Sequence, residues 1–126
     1  MQYTSRRRIP IIQSIPSARV YYIRLALPSG LTLYKIGYTR MSIRQRVYGY
    51  YTRASRKAGQ RLGGMGVPSG TLVTIVSILY KGLPKTAYTL EQNLHRRYQS
   101  YRYTGPAVLA NGNTELYSSD ILKLDI

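Results

Sequence analysis

Arg19-Val20-Tyr21-Tyr22-Ile23-Arg24-Leu25-Ala26-Leu27 and Leu31-Thr32-Leu33-Tyr34-Lys35-Ile36-Gly37-Tyr38-Thr39 flank the triplet Pro28-Ser29-Gly30. Both runs are rich in β-branched, aromatic and aliphatic residues, and Pro-Ser-Gly is a strong turn signal, so they predict an antiparallel hairpin. Side chains alternate across a strand, which puts Tyr21 and Ile23 on one face of the first strand and Lys35 on the second. Ser42 opens a helix, with Gln45 three residues on in the capping-box position. Ile43, Val47, Tyr50, Ala54 and Ala58 recur at helical spacing and predict one helix running to Gly59, with Arg46, Arg53 and Lys57 as a basic stripe beside them. Gly59 to Gly70 reads as a loop without the Gly-Lys-Ser/Thr ending of a phosphate-binding loop. Leu72 to Tyr80 predicts a third strand. Pro84 starts a second helix whose buried stripe is Ala87, Leu90, Leu94, Tyr98 and Tyr101. After Gly105-Pro106 come an extended piece over Asn113 to Tyr117 and a last turn near Ser119. The expected fold is α/β of the α+β kind, a small three-stranded antiparallel sheet flanked by helices. One domain spans residues 18–126, behind a basic arm over residues 1–17.

Charge narrows the partners. Nineteen Lys and Arg stand against four Asp and Glu, a net charge of +15 over 126 residues. Such an excess attracts polyanions and destabilises the compact state by self-repulsion, so nucleic acid is the expected partner, with DNA favoured over RNA. An anionic membrane fits less well, because no segment carries a long amphipathic face and no apolar run is long enough to span a bilayer. The chain has no cysteine, which excludes a disulfide framework and thiolate metal sites. Pro10, Gln13 and Pro16 interrupt the apolar residues that follow Arg6-Arg7-Arg8, leaving a poor signal-peptide core and a cytoplasmic expectation. Fourteen Tyr with no Phe or Trp means that Tyr fills core positions. Tyr48, Tyr50, Tyr51, Tyr98, Tyr101 and Tyr103 lie among arginines, where base stacking is the other use.

The four acids restrict the chemistry to Glu91, Glu115, Asp120 and Asp125. Hard divalent ions want oxygen ligands, and two-metal sites take several carboxylates, so a single ion is the ceiling. Asp120 reads as a surface or helix-start residue and Asp125 as part of a fraying end. Glu91 and His95 share one side of the second helix, either as an i,i+4 pair or as groups facing a cleft. Tyr21, Lys35 and Arg46 combine a phenol, an amine and a guanidinium, groups suited to a phosphodiester. Arg40, Arg44, Arg53, Lys57 and Arg61 are the candidate nucleic-acid contacts.

In order along the chain, Arg19-Val20-Tyr21, Lys35-Ile36-Gly37 with Thr39, Arg46-Val47, Leu90-Glu91, Leu94-His95 and Asn113-Thr114-Glu115-Leu116-Tyr117 resemble the motifs of the GIY-YIG endonuclease superfamily. Within it they are most similar to a small phage-type branch whose second motif reads Lys-Ile-Gly-x-Thr. The resemblance covers residues 18–122. Arg19 stands where the family has glycine, Lys35 where many relatives have tyrosine, and Leu116 in the aromatic position of the terminal motif. It implies a metal-dependent endonuclease of low sequence specificity, in which Glu91 holds one Mg²⁺ or Mn²⁺ and Arg46 stabilises the transition state. Tyr21 or Lys35 activates water, Lys35 lowering the phenol's pKa or acting itself as the base, with His95 assisting. Tyr38, Thr39 and Glu115 are accessory, and the products carry a 5′ phosphate and a 3′ hydroxyl. The alternatives are a non-catalytic nucleic-acid-binding module and a phage-type inhibitor protein, with either a monomer or a dimer open.

Overall fold

A computed structural model of the chain describes residues 16–126, so nearly all of the expected arm lies outside the described residues. Strands β1 (Ala18–Ala26) and β2 (Thr32–Thr39) pair antiparallel, from Arg19 opposite Thr39 to Ala26 opposite Thr32. Gly30 closes the hairpin at φ 95°, a conformation that glycine adopts without a Cβ penalty. Strand β3 (Leu72–Gly82) lies on the other side of β1, again antiparallel. A fourth strand, β4 (Leu116–Tyr117), adds to the free edge of β2, giving the order β3-β1-β2-β4. The expectation of three strands is corrected: the extended piece near Tyr117 belongs to the sheet, pairing Tyr34 with Tyr117 and Lys35 with Leu116.

The single helix expected from Ser42 to Gly59 is two. Helix α1 (Ile43–Tyr48) carries the Ser42–Gln45 capping box, and α2 (Arg53–Lys57) has its own box from Thr52 and Ser55. Gly49 separates them at φ 84°, where the helix cannot continue. Tyr50 then exchanges backbone hydrogen bonds with Leu62 at 2.9 and 2.8 Å. Ala54 and Ala58 are therefore exposed rather than buried. Helix α3 (Pro84–Arg97) starts with Pro84 as expected, but its buried line is Ala87, Glu91 and His95, and Tyr101 stands exposed beyond its end.

The sheet is covered on both faces, which is why its first two strands are nearly continuously buried. Tyr21, Ile23, Leu25 and Leu33 pack with Ile43 and Val47 of α1, with Leu109, with Leu116 and with Met65 from the glycine-rich loop. On the opposite face Val20, Tyr22 and Ile36 meet Ala87 and Tyr117, flanked by Leu90, Leu94 and Tyr98. Among the described residues no helix is long and apolar enough to cross a membrane.

The last turn is anchored by the two carboxylates read as incidental. Tyr22 donates to Asp120 at 2.6 Å, and Arg24 and Tyr34 donate to Asp125 at 2.6 and 2.8 Å. Hydrogen bonds from Arg24 and then Tyr34 hold the Asp125 carboxyl below its ordinary 3.8. A carboxyl lowered in the folded state contributes stability above its unfolded pKa and loses it as pH falls through the folded value. Asp125→Asn should thus lower the melting temperature by a few degrees at neutral pH. Its gap from the parent should close as pH drops below 3.8 in a series of thermal melts.

Candidate active site

Tyr21 lies directly opposite Gly37 in the ladder, and its ring crosses the β2 backbone there. A Cβ at position 37 would overlap the phenol carbon and oxygen of Tyr21. The glycine is needed for a close approach, since Gly37 is not among the residues at positive φ. Lys35, two residues earlier on the same face of β2, donates to the Tyr21 hydroxyl at 3.4 Å. Its side chain has no solvent exposure, and its ammonium forms an ion pair with Glu115. Glu115 reaches it because the short turn Asn113–Glu115 follows Gly112 at φ 86° and leads straight into β4. The ladder that pairs Lys35 with Leu116 sets the preceding carboxylate beside the amine.

From the other side α3 brings Glu91 and His95, both nearly inaccessible to solvent. The Glu91 carboxylate accepts from Gln92 Nε2 at 2.7 Å and from His95 Nε2 at 3.2 Å. A carboxylate only accepts, so Nε2 carries a proton, and in the neutral ring Nδ1 accepts from the Tyr117 hydroxyl 2.6 Å away. The His95 and Tyr117 rings stack with an interplanar angle of 7°. Burial alone would raise the Glu91 carboxyl, but the hydrogen bonds from His95 and Gln92 outweigh it, leaving it below the ordinary carboxylate range. That shift favours the ionised form of Glu91.

The donor set fits a hard divalent ion. Glu91, His95 and Glu115 each bring one ligand atom, all within 4.8 Å of one another. Two carboxylates are the ligands that Mg²⁺ and Mn²⁺ prefer, and each retains lone pairs beyond the bonds it already accepts. Both nitrogens of His95 are engaged by protein partners, so its present part is to orient Glu91.

Arg46, half-buried on α1, reaches Asn111 Oδ1 at 3.5 Å, and Asn111 is tied in turn to the Gly64 carbonyl at 3.0 Å. It is close enough to act electrostatically on Tyr21. Desolvation is the largest influence on that phenol, and the charges of Lys35 and Arg46 do not overcome it. Lys35 does pull the Tyr21 pKa down, as expected, but desolvation exceeds it and the net pKa is raised, which corrects the expectation of a depressed phenol.

Tyr21, Lys35, Glu115, Glu91 and His95 thus form one connected group, with Arg46 beside it. The other expected residues stand elsewhere. Tyr38 meets the ring of Tyr88 edge-on at 6.0 Å, and the Thr39 hydroxyl accepts from the Met41 backbone at 3.1 Å. Arg40 is exposed beyond β2, while Arg53 and Lys57 are exposed on α2. Arg44 and Arg61 border a separate groove. Sequence reasoning gave no role to Tyr117, Gln92 or Asn111, each of which holds a site residue in place. The one available signal was the alternation of Glu115 and Tyr117 about Leu116, which points two polar groups away from a buried residue.

Comparisons of the chain with protein-family models, curated proteins and solved structures return no match.

The close approach at Gly37 has a direct consequence. Gly37→Ala should destabilise the fold by about 1–3 kcal/mol, the usual range for overpacking, and displace the Tyr21 ring. Urea denaturation followed by tyrosine fluorescence measures it.

Proposed function

We propose that this chain is a metal-dependent endonuclease that hydrolyses phosphodiester bonds in DNA, as its resemblance to GIY-YIG enzymes implies. One observation supports this reading above the others. Tyr21 of β1, Lys35 of β2, Glu91 and His95 of α3 and Glu115 before β4 converge on one buried group, with Arg46 beside it, that includes a possible ligand set for one divalent ion.

Glu91, kept ionised by His95 and Gln92, holds the ion, with Glu115 within reach of it. Bound there, Mg²⁺ or Mn²⁺ supplies charge stabilisation at a phosphate oxygen and at the departing 3′ oxygen. Arg46 presents a planar fork to the nonbridging oxygens as negative charge accumulates on them. Tyr21, protonated because burial raises its pKa, positions the attacking water by hydrogen bonding rather than deprotonating it. Lys35 holds the phenol and is itself neutralised by Glu115, and in the net reaction the proton lost by the water ends on the departing 3′ oxygen. Attack at phosphorus with loss of the 3′ oxygen leaves a 5′ phosphate and a 3′ hydroxyl.

A binding module without catalysis is the competing reading. What favours it is the completeness of the internal pairing: Lys35 is satisfied by Glu115, and Glu91 by His95 and Gln92, without any ligand.

Cleavage of end-labelled single-stranded DNA, duplex DNA and RNA, with Mg²⁺, with Mn²⁺ and with chelator, separates the two. The nuclease reading expects metal-dependent cutting, reduced at least about a hundredfold by Arg46→Ala and by Glu91→Ala, the scale of losing one transition-state donor. DNA binding should persist in both variants. Salt-sensitive binding with no cutting by the parent protein would leave only the binding module.

A further inference from the structure

On the outer side of α1, a groove of about 310 Å³ is lined by Arg44, Tyr48, Tyr51, Arg56 and Arg61 together with backbone of the α1–α2 turn. Three guanidinium groups meet in it and, among the described residues, no carboxylate lines it. None is free to do so. Glu91 is bonded to His95 and Gln92, Glu115 to Lys35, Asp120 to Tyr22 and Asp125 to Arg24, and the chain has only these four acids. Gathering three like charges without an internal counter-ion opposes folding, and an external anion bound there relieves that repulsion.

Two of the three arginines, Arg56 and Arg61, are also held in place. Arg61 donates to the Tyr51 hydroxyl at 3.2 Å and to the Tyr48 carbonyl at 3.1 Å. Arg56 and Arg61 each lie 5.4 Å from the centre of the Tyr51 ring, within cation–π range. The mutual hydrogen bonds of Tyr50 and Leu62 fix the adjoining residue 61 next to α1. Gly49 permits the closeness, because a Cβ there would come 2.6 Å from the Leu62 carbonyl oxygen.

We infer that this groove is a preorganised phosphate clamp that holds the nucleic-acid backbone away from the Tyr21–Glu91 site. Three planar forks suit phosphate oxygens. The Tyr51 ring already serves two guanidinium groups, so it orients the clamp instead of stacking on a base. Binding through it is accordingly independent of sequence. The inference rests on the nucleic-acid part of the reading above and not on cleavage.

The test is fluorescence anisotropy in chelator, with labelled single-stranded and duplex DNA of mixed and homopolymeric sequence, across a salt titration. The parent is compared with Arg56→Ala/Arg61→Ala and with Arg96→Ala/Arg97→Ala, which removes the same charge from α3. The clamp variant should bind about tenfold or more weakly on every sequence. Its plot of log affinity against log salt should be shallower by about 1.4–1.8, the value for two lost phosphate contacts, and the α3 variant should change less than half as much. Tyr51→Ala, which removes no charge, should also weaken binding, and Tyr51→Phe should retain most of it. Circular dichroism melts confirm that each variant is folded. Equal losses in the two double variants, or parental affinity in Tyr51→Ala, would overturn the clamp while leaving the nucleic-acid reading standing. No DNA binding by the parent would overturn both, as would a preference of the groove for phosphatidylserine vesicles over DNA.

Discussion

A lysine ammonium with no solvent exposure has to be neutralised inside the chain, and here that requirement falls on Glu115. Leaving such a charge buried and unpaired costs about 3–5 kcal/mol, a large share of the stability of a domain this size. The pairing dictates more than one ion pair. It demands that the segment after Gly112 return to the β2 edge, which creates β4, places Leu116 in one core and seats Tyr117 in the other. Tyr117 then supports His95, and His95 supports Glu91. A buried cation on one strand thereby organises groups from three separate parts of the chain.

The scarcity of acids divides the molecule into two electrostatic regions. Every carboxylate is engaged in an internal contact: Glu115, Asp120 and Asp125 tie the carboxyl-terminal segment to the sheet, and Glu91 pairs within α3. The cations of α1, α2 and the following loop have no such partner, and they remain as an uncompensated positive surface. Low acid content thus has two consequences: the buried site has only the carboxylates of Glu91 and Glu115, and the helical surface stays positive.

Much of the fold was legible because its signals are local. The hairpin follows from two β-rich runs around Pro28-Ser29-Gly30, and the start of α3 follows from Pro84. The helix after Ser42 was overextended because Ile43, Val47, Tyr50, Ala54 and Ala58 keep a helical period across a break. Gly49 and the Thr52–Ser55 box mark that break locally, yet what enforces it is the bridge from Tyr50 to Leu62. Two-residue β4 was legible as an extended piece, but it carries too little pattern to show that it joins the sheet. In α3 the spacing named Ala87, Leu90 and Leu94 for the core and left Glu91 and His95 as either a pair or a cleft-facing set. Only packing shows that they pair while buried, since spacing cannot foresee a carboxylate that finds its own donors.

Composition and local pattern by themselves determined the α+β class, the hairpin, the excess positive charge and the short list of candidate site residues. These depend on residue type and on spacings of a few positions. Tertiary structure alone decided the fourth strand, the splitting of the helix, the pairing of Lys35 with Glu115 and the raised pKa of Tyr21. Those outcomes turn on burial and on partners distant in sequence, such as Tyr50 with Leu62 and, 80 residues apart, Lys35 with Glu115. Desolvation and distance are properties of the packed chain, and no window of sequence contains them.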